Sequence, residues 1–443
     1  MIDPRALDSS GASLLIKDAK SLSPYEYGIE YGSPARGLWN IVHTGMLVPE
    51  SHQIFVCAQS CLRGVVLTAA EMNATDRFST IAVCENNALD GDMESLIIDG
   101  VADVLKKLPY KPRAVMVFTS CIHHFIGCDL DFVYARLREN FPDIDFTDCY
   151  MNPIMRKTKT APEPRMREQL YSLLHPAEKL NAKAVNIIGN NFSTNDTSEL
   201  YSMLRAGGYA VRDVCRCRTY DEFQKMAESS VNITYHPAAV IAAETLKKRL
   251  GQEHIYVPVS YEYDEIKANL TKLSDMLSLA MPDVDSLRAA AELELTKTAE
   301  LLGDTPIAID YTATPRPLGL AKLLLTHGMN VISVYADVFS PEERSAFDWL
   351  KENAGDLRLY ATVHPKMGVL PRVEAGRYGG KLLAIGQKAA YFTGTRHFVN
   401  ILECGGYYGF SGICRLTEDI RDAACNEKDT AKIIQVKGWG CCC

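Results

Sequence analysis

The stretch Arg113–Asp131, RAVMVFTSCIHHFIGCDLD, decides the reading of this chain. Ala114 to Ser120 is a short, continuous apolar run. Such a run fits a parallel strand covered on both faces. Cys121 then stands where the strand ends, and a turn leads to a helix from about Asp129. Open α/β sheets build their sites in the crevice outside the carboxyl ends of their strands. His123, His124 and Cys128 follow within seven positions. The stretch therefore predicts a soft, metal-capable cluster at a strand tip.

Working outward, strand and helix signals alternate along the whole chain. Gln53 to Val56 and Ser79 to Val83 read as strands, and Glu94 to Leu105 as a helix. The charged, Pro-containing stretch Met155 to Arg167 reads as a linker or exposed loop. A second series starts at Ala182, with strands at AVNIIG, YAVRDV and Val231 to Tyr235. Pro237 opens a helix that Gly251 closes, the expected asymmetry of Pro at the start and Gly past the end. A third series starts near Thr305, with strands at PIAIDY, NVISVYAD, LRLYATV and KLLAIG, joined to the second by a long helix from Asp283 to Leu302. Alternating strands and helices imply parallel sheets with right-handed crossovers. The expected fold is α/β, with three doubly wound, Rossmann-like parallel-sheet domains around a central crevice. The boundaries are an N-terminal arm at 1–30, α/β domains at 31–180, 181–282 and 283–425, and a cysteine-bearing tail at 426–443.

A chain of 443 residues is too long for one ordinary core. Hydrophobic residues at 47% and charged residues at 23% fit a soluble globular protein. The net charge of −8, without any basic run, argues against a nucleic-acid partner. No apolar run reaches the roughly eighteen residues of a membrane span, and the N-terminus lacks the pattern of a signal peptide. A cytoplasmic location is expected. The fourteen cysteines are then not expected to form structural disulfides. Many fit as buried thiols, and the excess leaves room for a metal or iron–sulfur site.

Other candidates carry two readings each. His123 and His124 can protonate a substrate or ligate a metal, or form a hydrogen-bonded pair in a turn. His236 precedes Pro237 and is held extended at a strand tip facing the crevice. There it can bind a metal or carry a proton, or satisfy a helix start. Cys215 and Cys217 alternate across an expected strand, which argues against a local chelate. Cys441, Cys442 and Cys443 form a tail that can deliver sulfur, bind a metal transiently or reach a neighbouring chain's site, or that is equally a peculiarity of the sequence. No GxxxxGKS loop is present, so the chain is not expected to hydrolyse ATP.

These residues resemble the nitrogenase component 1-type oxidoreductases, a family that includes the molybdenum–iron protein chains, cofactor-assembly scaffolds and tetrapyrrole reductases. TSCIHHFIGCDL resembles the β-chain type's Thr-Thr-Cys-Met-Ala-Glu-Val-Ile-Gly-Asp-Asp-Leu. FVCAQSCLRG resembles its Val-His-Gly-Ser-Gln-Gly-Cys segment, and GSPARG its Asn-Pro-Ala-Lys-Ala-Cys segment. NIIGNNF, ELYSMLRAGGYAV, VNITYHPA and GGYYGFSGI follow in the family's order, so the resemblance spans roughly residues 30 to 420. Three departures matter. The family's first cluster cysteine falls at Leu38, its glycine four positions before Cys61 is Cys57, and the acid of its Gly-Asp-Asp element is Cys128.

The resemblance implies that Cys61 and Cys121 are retained ligands of an iron–sulfur cluster, either 4Fe–4S or P-cluster-like. Such clusters usually take four thiolates. A symmetric pair of chains supplies four from Cys61 and Cys121. Otherwise Cys57 and Cys84 complete the site, within one chain or with a related one. All four as inert buried thiols is the alternative. His236 falls near the cofactor-binding cysteine of the α-chain. The family's cofactor-binding histidine falls at Val399, with His397 two residues away, so an iron–molybdenum cofactor is not expected to bind in the usual way. The resemblance further implies a homodimer or a heteromer with a related component 1 chain, and a separate ATP-hydrolysing iron-protein-like reductase. Electrons would pass through the cluster to a small-molecule or tetrapyrrole acceptor. A non-catalytic scaffold for metallocofactor assembly, and a partner subunit supplying half of a cluster, are the other readings.

Overall fold

The computed structural model describes residues 11–26, 28, 30–33, 40–152, 161–370, 372 and 374–430. Strands are numbered in chain order. The first sheet holds β2 (Ser51–Ala58), β3 (Phe78–Val83), β4 (Ala114–Ser120) and β5 (Asp145–Met151), in the order β3-β2-β4-β5. The second holds β6 (Asn181–Ile187), β7 (Ala210–Asp213), β8 (Ser229–Thr234) and β9 (Glu253–Tyr256), in the order β7-β6-β8-β9. The third holds β1 (Ser13–Leu15), β10 (Ile307–Asp310), β11 (Val331–Tyr335), β12 (Arg358–Tyr360), β13 (Leu383–Ile385) and β14 (His397–Val399), in the order β1-β12-β11-β10-β13-β14. All pairings are parallel except β1 with β12. The expected α/β class with three sheets is present, the third being mixed because residues 13–15 of the expected arm add an antiparallel edge.

The apolar runs explain the first sheet. Every residue of β4 is buried, so its two faces pack separately. Phe55, Cys57, Met116, Phe118 and Cys149 enter one core cluster. Ile54, Val56, Val115, Val117 and Phe146 enter the other. This is the period-2 alternation of a strand covered on both sides. Phe55 stacks on Phe118 with ring centroids 4.0 Å apart. On the second face the helix Met93–Lys107 buries Met93, Ile97 and Val101, a spacing of four residues that makes one apolar stripe.

Packing divides the chain into two units. One takes the segment up to residue 37, Thr194–Gly207 and everything from Val257 on. The other takes 38–193 and Gly208–Tyr256, and so holds the first two sheets. The helix Glu199–Ala206 lies between β6 and β7 in sequence, yet belongs to the unit of the third sheet. There the Glu199 carboxylate accepts the Ser411 amide at 2.8 Å and its hydroxyl at 2.9 Å.

Two local expectations are corrected. The charged stretch 155–167 is not simply an exposed loop: residues 153–160 lie outside the described set, and Pro162 starts the helix Pro162–Ser172. Arg167 on it is 1% exposed. Its guanidinium donates to Gly189 O at 2.5 Å and to Glu163 at 2.9 Å, which is how a cation is tolerated inside. Cys215 and Cys217 do not sit on a strand. Val214–Arg216 is a 3-10 turn, and the two thiols donate to the carbonyls of Asn190 and Asp213 at 3.3 and 3.4 Å. Among the described residues no helix is long and apolar enough to cross a membrane.

Candidate functional site

In each sheet the strand order reverses about a central pair: β2 and β4, β6 and β8, β10 and β13. The loops leaving each pair part to opposite sides, which opens a crevice at the carboxyl edge. The register of the first sheet levels three strand tips. Val56 pairs with Thr119, and Cys57 pairs with Ala82. Cys57 therefore stands at the end of β2, Cys61 in the first turn of the helix Gln59–Glu71, Cys84 just past β3 and Cys121 just past β4.

Two of these thiols lie close enough to Cys57 for their charges to bear on it. Cys57 is fully buried. Burial pushes its thiol up to about 12, and the charges of Cys61 and Cys121 push in the same direction. Cys61 is exposed and Cys121 half-buried. The first sheet thus brings together the two thiols expected to be ligands and the extra thiol Cys57. Cys84 is exposed on the adjacent tip, where its amide donates to Asn87 at 2.9 Å. It is not among the charges that act on Cys57.

The residues after Cys121 divide by environment. His123 is 1% exposed, and its Nδ1 accepts the Ser120 amide at 3.1 Å. Burial lowers its pKa and keeps it neutral. Its Nε2 is buried with no hydrogen-bond partner among the described residues. His124 is exposed. Burial, together with the nearby Glu94 carboxylate, pushes the Cys128 thiol up to about 12. Around this edge lie exposed apolar side chains: Leu89 at 82%, Phe125 at 70% and Ile126 at 41% exposure. Leu89 is on the helix after Cys84, and the other two are beside Cys121.

At the reversal of the second sheet, Asn190 follows β6 and His236 follows β8. His236 is 9% exposed, and its Nδ1 accepts the Ala238 amide at 3.2 Å, capping the turn that Pro237 opens. The Asn190 side-chain oxygen is buried with no hydrogen-bond partner among the described residues. The two loops are pressed together at Gly189, where φ is +87° and an added Cβ would lie 1.9 Å from that of Ala239.

The third reversal carries a pair that sequence reasoning missed. Asp310, at the end of β10, is fully buried and accepts the amides of Thr312 at 2.7 Å and Ala389 at 2.6 Å. Burial raises its pKa, while those hydrogen bonds and Lys388 oppose the shift. Lys388, just past β13, is 3% exposed and donates to Ser33 at 2.7 Å. The available signal was an acid closing the apolar run of PIAIDY. Val399 is in the core, and His397 Nδ1 is 2.9 Å from Ala423 O.

Three converging thiols with soft sulfur donors fit an iron–sulfur cluster. Cys57, Cys61 and Cys121 are the residues of one chain that would hold such a group, with Cys84 or a second chain for a fourth position. Among the described residues no three His, Cys, Asp or Glu side chains surround a single metal ion. Residues 44–369 match the nitrogenase component 1 type oxidoreductases.

The chain belongs to the nitrogenase component 1 type oxidoreductase family.

Its fold is similar to solved structures of nitrogenase Cp1. The structure at pH 6.5 matches with a TM-score of 0.65 at 15% identity, over 92% of this chain and 96% of that one. The structure at pH 5 matches with a TM-score of 0.57 at 13% identity, over 94% of each. No curated protein matches the chain. For this component 1 type chain, the position of the family's first cluster cysteine, Leu38, lies outside the described residues, as do Cys441 to Cys443.

Proposed function

We propose that the chain is a component 1-type reductase subunit whose thiol edge holds an iron–sulfur cluster, 4Fe–4S or P-cluster-like. The observation that carries this is the convergence of Cys57, Cys61 and Cys121 at the β2/β4 reversal. Cys61 and Cys121 are the proposed iron ligands, with Cys57 or Cys84 as further thiolates. The cluster supplies one-electron transfer when bound. The chain's own part is to hold the thiols level, to bury one side of the site, and to leave the other side open to a partner. His236 and His124 are the proposed proton carriers toward an acceptor. His123, buried and neutral, braces the turn. Electrons come from a separate ATP-hydrolysing iron-protein-like reductase and go to a small-molecule or tetrapyrrole acceptor, in the cytoplasm.

The exposed rim of Leu89, Phe125 and Ile126 supports pairing with a second component 1 chain, as a homodimer or heteromer. A second reading is a scaffold or half-cluster subunit without turnover. It is favoured by Val399 and His397, which leave no free histidine where the family holds its metallocofactor. Anaerobic purification with iron and acid-labile sulfide analysis tests the cluster. Reduction of an acceptor by the reductase-supplied protein separates the two readings.

A further inference from the structure

The segment that carries Cys121 is tied down by a residue far from it in the chain. Glu94, in the first turn of the helix Met93–Lys107, accepts the Asp129 amide at 2.7 Å. The Cys128 thiol and the His123 ring lie close enough for its charge to bear on both. Three groups of one nine-residue loop, at 123, 128 and 129, thus answer to a single carboxylate 35 residues earlier. The start of the same loop is fixed by β4. The far end would otherwise hang on the helix Leu130–Asn140, whose cap Asp129 is the residue that Glu94 grips. The Asp129 amide also holds the Glu94 carboxylate below its usual range, so the group is ionised at neutral pH.

We propose that Glu94 is a positioning residue for the thiol edge: it fixes the Cys121–Asp129 loop and adds a negative charge that lowers the potential of a cluster held there. The claim rests on the cluster reading above. It also assigns Cys128 to the support of the site and not to its ligands. Groups supporting a metal ligand typically contribute 10- to 100-fold in metal affinity.

The test compares anaerobically purified full-length protein with Glu94→Ala and Glu94→Gln. A ferrous chelator should strip iron from Glu94→Ala about 10-fold faster or more. Glu94→Gln keeps an acceptor for the Asp129 amide, so it should hold its iron and show a higher midpoint potential. Iron-free protein gives a second readout by mass spectrometry. Without the carboxylate, iodoacetamide should alkylate Cys128 faster in both variants. Unchanged release, potential and alkylation would overturn the proposal. If the wild type holds no iron, the cluster reading fails, and the alkylation rates alone decide the role of Glu94. If Glu94→Ala does not fold, Glu94→Gln decides.

Discussion

At the scale of single residues, the site is a matter of where side chains end up once strands are aligned. Cys121 was legible because a thiol directly follows an apolar run. Cys57 was named only because it replaces the family's glycine; its approach to the other thiols depends on the β2/β4 register, which no local pattern states. Glu94 was invisible for the same reason: its partners lie on a different loop. His236 tests the same logic on the acceptor side. It caps a turn through Nδ1 at 3.2 Å, and it stands at a strand reversal. His236→Ala is expected to lower turnover by roughly 10²-fold or more, the size of a general acid–base contribution, with iron content unchanged. Equal turnover in the variant would make the residue a cap and nothing else.

At the scale of elements, long apolar strands and the Pro- or Gly-bounded helices were readable, since burial and capping both write a pattern into sequence. β1, with three residues, is too short to show a period. The turn at Cys215 reads as alternation only because two thiols flank one arginine. The buried helix Pro162–Ser172 looks polar because its cation is satisfied by a carbonyl and an acid. Two helix starts give predictions. Glu343 is almost fully buried, accepts the amides of Leu318 and Gly319 at 2.6 and 3.1 Å, and has its pKa raised by burial to about 8. The unfolded group ionises near 4.5. Between those values the folded chain binds the extra proton, so its stability falls as pH rises, by up to about 1.4 kcal/mol per pH unit. Thermal melts should show the wild type losing ground to Glu343→Gln between about pH 5 and pH 8. A constant gap would contradict this. At Gly189 the left-handed backbone and the 1.9 Å approach to Ala239 leave no room for a side chain. Gly189→Ala should cost about 2 kcal/mol or more, and a variant melting like the wild type would show that the loops separate freely.

At the scale of the whole molecule, three α/β repeats were foreseeable from alternating strands and helices, but the packing units were not. The segment Thr194–Gly207 sits inside one sheet's sequence and joins the other unit. Its anchor, Glu199 on Ser411, spans 212 residues. The apolar rim beside the thiols points to assembly. Phe125→Glu, which puts a charge on an exposed ring, should lower the sedimenting mass of the anaerobic protein by one subunit pairing while leaving the fold intact. An unchanged mass would move the interface elsewhere. The central claim is that thiols from the β2 and β4 tips hold iron and sulfide together. The measurement that tests it most directly is the iron and acid-labile sulfide content of anaerobically purified wild type, Cys61→Ala and Cys121→Ala. The account predicts both elements in the wild type and loss of most of each in either variant; a wild type without them, or variants that keep the full complement, would contradict it.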